Sequence, residues 1–256
     1  MKIPLIFFII ILNINLVSSQ IVLELTNDTL HFKSLRSRIS TENFFIKVDS
    51  NNVDAYIRRS VLEYQLNDYE NCIKDNNKII KLVPNSIDAY SNRGMCYCFQ
   101  KKYDKAFSDL KMALKLEPTN PTRYLNLAYA QAENNDFKNA ITNLDKAITL
   151  KPDYAKAYVN RGVAKAKLGS YKQAIEDYNK CIKIKPEYAE AILNRGYSKF
   201  LLKDYDGAIS DYNKALEIQP VFNVPKFYIY RAQAFERKGD LQNAKADYVK
   251  AEMLKK

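Results

Sequence analysis

Small and large apolar residues recur along this chain with one long period. Prolines fall at Pro84, Pro118, Pro152, Pro186 and Pro220, each 34 residues after the last. With that proline numbered as position 32, small residues occupy position 8 (Ser60, Gly94, Ala128, Gly162, Gly196) and position 20 (Cys72, Ala106, Ala140, Ala174, Ala208). They also occupy position 27 (Ala113, Ala147, Cys181, Ala215), except in the first unit, which has Ile79. Larger apolar residues hold position 21 (Ile73, Phe107, Ile141, Ile175, Ile209) and position 28 (Ile80, Leu114, Ile148, Ile182, Leu216). A spacing of seven keeps residues on one helical face. A strict period of this length marks stacked repeats, each burying against its neighbour what it cannot bury alone.

The units run 53–86, 87–120, 121–154, 155–188 and 189–222, then 225–256 after an apparent two-residue insertion, since Ala208 to Ala244 is 36 residues. Each is expected to hold one helix over about positions 2–14 and a second over about 17–30. Position 15 is Asn67, Asn135, Gly169 or Gly239 in four units, types that tolerate the left-handed conformation ending a helix. Position 16 is Asp68, Asp136, Ser170, Asp204 or Asp240, types whose side-chain oxygen caps the next helix. Stop and start stand side by side, which predicts a tight antiparallel hairpin. In the sixth unit Lys245 and Glu252 replace the apolar residues at positions 21 and 28, so no seventh unit is expected to stack there. Ahead of the array, residues 38–48 read as a capping helix within the segment 20–52, with Gln20 to Leu35 extended or mobile.

This 34-residue helix-turn-helix pattern resembles the tetratricopeptide repeat over residues 53–256. The resemblance implies an all-α solenoid of six repeats with a short N-terminal capping helix. It also implies a noncatalytic protein–protein interaction scaffold whose first helices line a groove with positions 2, 5, 6, 9, 12 and 13. Position 6 is Asn92, Asn126, Asn160 and Asn194 in successive units, and an amide both donates and accepts. The row is similar to the asparagine ladder of the tetratricopeptide superhelix in O-linked N-acetylglucosamine transferases. That implies backbone recognition of an extended peptide or a partner helix, with side-chain contacts from Leu125, Tyr129, Val163, Tyr197 and Phe200. The alternative is that these amides bond only to neighbouring helices or water. The family's carboxylate clamp needs Lys at position 5 and Asn at position 9, where this chain has pairs such as Ile57 with Val61 and Val159 with Val163.

Position 7 is Arg59, Arg93, Arg161, Arg195 and Arg231, and position 23 is Asp75, Asp109, Asp177, Asp211 and Asp247. The third unit lacks both, with Leu127 and Asn143. Joint absence predicts pairing within a repeat, as in Arg161 with Asp177 and Arg195 with Asp211, rather than between repeats.

Composition narrows the function. The 40 Lys and Arg against 29 Asp and Glu give +11, but no run of five basic residues occurs, and nucleic acid is not an expected partner. One histidine, His31, lies outside the repeats, and there is no Gly-x-Ser-x-Gly elbow, phosphate loop or metal-ligand spacing. No enzyme activity, metal or cofactor is therefore expected, and the array is read as a monomer. Cys72 and Cys181 sit at small-residue positions and read as packing, while Cys72 with Cys96 is the most plausible pair were the thiols oxidised. Met1-Lys2, the apolar run Ile3 to Leu12 and Val17-Ser18-Ser19 have the layout of a secretory signal peptide over 1–19. This predicts export, either secreted, in a secretory lumen or periplasmic, and Asn27-Asp28-Thr29 is then a glycosylation acceptor. Two other readings stay open: an adaptor tethered to the membrane by an uncleaved N-terminal segment, and a structural assembly subunit.

Overall fold

A computed structural model of the chain describes residues 17–218 and 225–254, with side chains from residue 31 onward. Among these residues are thirteen helices and no strand: α1 (Val17–Val48), α2 (Val53–Gln65), α3 (Tyr69–Leu82), α4 (Ile87–Phe99), α5 (Tyr103–Leu116), α6 (Pro121–Glu133), α7 (Phe137–Leu150), α8 (Ala155–Lys167), α9 (Tyr171–Ile184), α10 (Ala189–Leu201), α11 (Tyr205–Ile218), α12 (Pro225–Arg237) and α13 (Leu241–Met253). The chain divides into two compact units, one ending at Cys96 and one beginning at Tyr97.

In the first unit α1 packs on α2, and α2 on α3. The expected capping helix at 38–48 is the end of something longer, because α1 is one continuous helix of 32 residues. Nothing from Val17 to Val48 breaks a helix, since the stretch has neither Gly nor Pro. From residue 31 on, only Leu35 and Glu42 of α1 are buried, so its apolar stripe is too thin to read in sequence. The Arg58 guanidinium of α2 reaches the Glu42 carboxylate of α1 at 2.9 Å. Most of the predicted signal peptide lies outside the described residues, and Val17 to Ser19 begin α1. Among the described residues no helix is long and apolar enough to cross a membrane.

The second unit repeats one hairpin: α6 with α7, α8 with α9, α10 with α11 and α12 with α13, each second helix also packing on the next first helix. Close approach depends on matched volumes at positions 8 and 24. A Cβ on Gly162 would meet Tyr178 Cε1 at 2.6 Å, and one on Gly196 would meet Tyr212 Cε1 at 2.9 Å. The third repeat makes the same contact with Ala128 and Leu144, both buried in one cluster. A larger residue on one helix is offset by a smaller one on its partner.

Position 15 has a positive φ in all six repeats, including Lys101 (59°) and Lys203 (66°), whose side chains do not favour it. The hairpin geometry imposes the conformation there. Asp68, Asp136 and Asp240 cap the following helix by accepting from the backbone N–H three residues on, and Asp204 accepts from Gly207 N–H at 3.0 Å. Ser170, expected to do the same, makes no side-chain cap bond. At the end of the array, α13 exposes Lys245 and Glu252 as expected, but also Leu241, Val249 and Met253.

Candidate functional site

The site begins with how each first helix is rolled about its axis. Arg161 Nε and Nη2 bond both Asp177 oxygens at 3.0 and 2.6 Å, and Arg195 bonds Asp211 at 2.9 and 2.6 Å. Arg59 with Asp75 and Arg231 with Asp247 repeat this fork, and all four carboxylates are buried. In each fork the remaining nitrogen, Nη1, reaches position 25 of the preceding repeat: Asn43 for Arg59, Asp145 for Arg161, Asn179 for Arg195 and Asn213 for Arg231, all at 2.6–2.7 Å. The Arg–Asp pairs lie within a repeat, as expected, and each arginine adds a bond to the preceding repeat that the expectation did not include. The missed signal was position 25, which is Lys111 in the one repeat whose successor has Leu127 in place of Arg. These bonds to Asp177 and Asp145 raise the Arg161 pKa despite the opposing effect of burial.

Because position 7 points into this cluster, position 6 is turned about 100° away from it. Asn126, Asn160 and Asn194 are half-buried on α6, α8 and α10, and in the first unit Asn92 is half-buried on α4. Asn92, Asn160 and Asn194 make no side-chain hydrogen bond among the described residues, so their amides are open to a ligand. In the second unit α8 touches α6 and α10, and α10 touches α12, so these first helices form one continuous surface.

A cavity of about 520 Å³ opens on that surface. Val163, Ala166 and Lys167 of α8 line it, with Tyr171 and Tyr178 of α9, Glu190, Asn194, Tyr197, Ser198 and Leu201 of α10, and Lys226 and Tyr230 of α12. Burial pushes up the pKa of the Tyr178 hydroxyl, which stays protonated. Tyr197 packs on Tyr230 with ring centroids 4.8 Å apart and stacks on Phe200 at 6.4 Å, while Lys226 Nζ lies 5.4 Å from the Tyr230 ring centre. The cavity therefore offers an aromatic wall, one open amide and charges of both signs.

Of the residues expected to bind, the cavity brings together Asn194, Val163 and Tyr197. Phe200 stands behind Tyr197 rather than in the lining, and Tyr129 packs against Phe99 at 6.0 Å. Leu125 is a correction: it is buried in the core with Ala128, Ala140 and Leu144. Position 5 lies three residues before position 8 and so shares its inward face, and Ser91 and Val159 are buried likewise. Sequence reasoning missed Tyr230, Lys167, Lys226 and Glu190, although they hold positions 6, 13, 2 and 2, all among those expected to line a groove. Tyr230 escaped notice because it replaces the asparagine of the preceding repeats.

The family model described as "Tetratricopeptide repeat" matches residues 87–120, 155–188 and 189–222, and one described as "TPR repeat" matches 132–169. The chain belongs to the tetratricopeptide-repeat family. The three matched frames coincide with units read from the proline period. A comparison with curated proteins finds no match. Among solved structures, MamA protein is 27% identical with a TM-score of 0.55, covering 66% of this chain and 92% of its own. PilW, a type IV pilus biogenesis factor, is 19% identical with a TM-score of 0.71, covering 76% and 90%. YrrB, a tetratricopeptide-repeat protein with an unusual peptide-binding site, is 21% identical with a TM-score of 0.55, covering 77% and 97%. The last two likenesses are of fold. A tetratricopeptide array of this kind is a scaffold for protein–protein interaction.

Proposed function

We propose that this is an exported, noncatalytic scaffold that holds an extended, partly apolar polypeptide along the first helices of the second unit. The open amides of Asn160 and Asn194 beside the aromatic cavity support this reading most directly. Unpartnered amides on neighbouring first helices can bond a peptide backbone whatever its sequence, while the wall of Tyr197 and Tyr230 takes an apolar side chain. Within the second unit Asn126 stands on the preceding first helix, α6, with Tyr129 and Phe200 as aromatic neighbours.

The test begins with peptides selected from a random display library against the full chain. Asn160→Ala/Asn194→Ala should weaken them about tenfold or more, since each lost hydrogen bond removes about 1 kcal/mol. Lys180→Ala, on the exposed side of α9, should change nothing. Undiminished binding by the double variant removes the amide mechanism. Export rests on the N-terminal sequence pattern, and mass spectrometry of the mature chain should place its N-terminus at Gln20, free or cyclised to pyroglutamate; a chain starting at Met1 contradicts it.

A further inference from the structure

Cys72 on α3 and Cys96 on α4 are both fully buried, and their sulfurs lie 2.9 Å apart. That is within about 1 Å of the ~2.05 Å disulfide bond length. The contact has a register. Cys72 is position 20 of the first repeat and Cys96 is position 10 of the second, and the same two positions meet as Ala208 and Ala234 in another core cluster. From the third repeat on, position 10 is Ala130, Ala164, Ser198 and Ala234, and position 20 is always Ala. Cysteine replaces both small partners of one contact and of no other. Among the described residues no group of three His, Cys, Asp or Glu could hold a metal, so the pair does not read as part of such a site.

We propose that Cys72 and Cys96 are a disulfide site that joins the first repeat to the second, closed by exchange with a small-molecule or protein disulfide. One cysteine thiolate attacks the incoming disulfide and forms a mixed disulfide, releasing one thiol. The other cysteine then attacks that bond, releasing the second thiol. Two electrons pass to the incoming disulfide, and the two cysteine protons end on the departing thiols. In the folded chain the Cys96 contact and burial hold the Cys72 thiol protonated, so exchange belongs to the opened chain, before α3 and α4 close. Asn76 Nδ2, 3.4 Å from the Cys72 sulfur, holds it in register. The bond spans 24 residues of chain and restricts the unfolded state. The pairing does not depend on where the chain resides, although export would supply the oxidant.

The full chain, reduced in denaturant and refolded in a buffer of oxidised and reduced glutathione, tests this. The titratable thiols should fall from four to two, and a non-reduced peptide map should link the Cys72 peptide to the Cys96 peptide. Cys98→Ser should leave that link in place, and Cys72→Ala/Cys96→Ala, which restores the alanine pair of other repeats, should fold without it. Four free thiols after refolding, glutathione retained on either cysteine, or a link to Cys98 or Cys181 would each overturn the proposal.

Discussion

The first repeat and the fourth and fifth share one buried Arg–Asp fork but differ in what stands beside it. At position 11 the later repeats carry Lys165 and Lys199, each 2.8 Å from the buried Asp177 or Asp211. The first repeat carries Glu63, which is buried, with Oε1 3.7 Å from Arg59 Nε and Oε2 without a hydrogen-bond partner. Two cations answer one carboxylate in the fifth repeat, and two answer Asp177 and Asp145 in the fourth, whereas one arginine answers two carboxylates in the first. Burial, and next the charge of Asp75, push the Glu63 carboxyl up to about 8, Asp68 adding to the rise and Arg59 opposing it. The same scaffold thus satisfies a charge in one place and forces a proton onto it in another. A conserved-looking pair says little about stability until the third residue is named.

Removing the fork in the fourth repeat should have the largest effect. Arg161→Leu leaves Asp177 buried with Lys165 alone and should cost about 3 kcal/mol, read as faster hydrogen exchange in α8 and α9. Arg161→Leu/Asp177→Asn should recover much of it, because the third repeat is built that way, with Leu127 buried and Asn143 bonded to Gln131 Oε1 at 2.7 Å. No recovery would mean that the polar partner, not the balance of charge, is what matters.

Exchanging position 11 should come next. The Glu63 pKa is raised on folding, so the folded state holds its proton more tightly than the unfolded state. Its contribution is complete below about 4.5 and is lost as pH rises through about 8. Thermal melts of the Glu63→Gln variant should lack that decline. Lys165→Glu should import the same decline into the fourth repeat, and Glu63→Lys should stabilise the chain most at pH 8. Melts of Lys165→Glu with the parent's pH profile would break the comparison.

Much of this was legible because it is local. The hairpin stops and starts are adjacent residues, so Asn67 and Asp68, or Gly239 and Asp240, declare themselves without reference to anything distant. Lys101 and Lys203 do not, because their left-handed backbone is demanded by the two helices they join and not by their own side chains. Arg161 and Asp177 could be matched by their joint absence in the third repeat, yet the bond to Asp145 went unread because it crosses a repeat boundary. Leu125 and Tyr197 looked alike as apolar residues on a first helix. One is core and the other lines a cavity because they lie on different sides of that helix.

The periodicity alone determined the repeat frame and the helix pairs, since a helix turn and a 34-residue unit are properties of spacing along the chain. Only the tertiary structure decided that Glu63 lacks a counter-charge of its own, that Cys72 meets Cys96, and that Tyr230 closes the cavity begun by Asn194. Each of those facts joins residues from different helices, and the free energy of a buried group is set by the neighbours that replace its water.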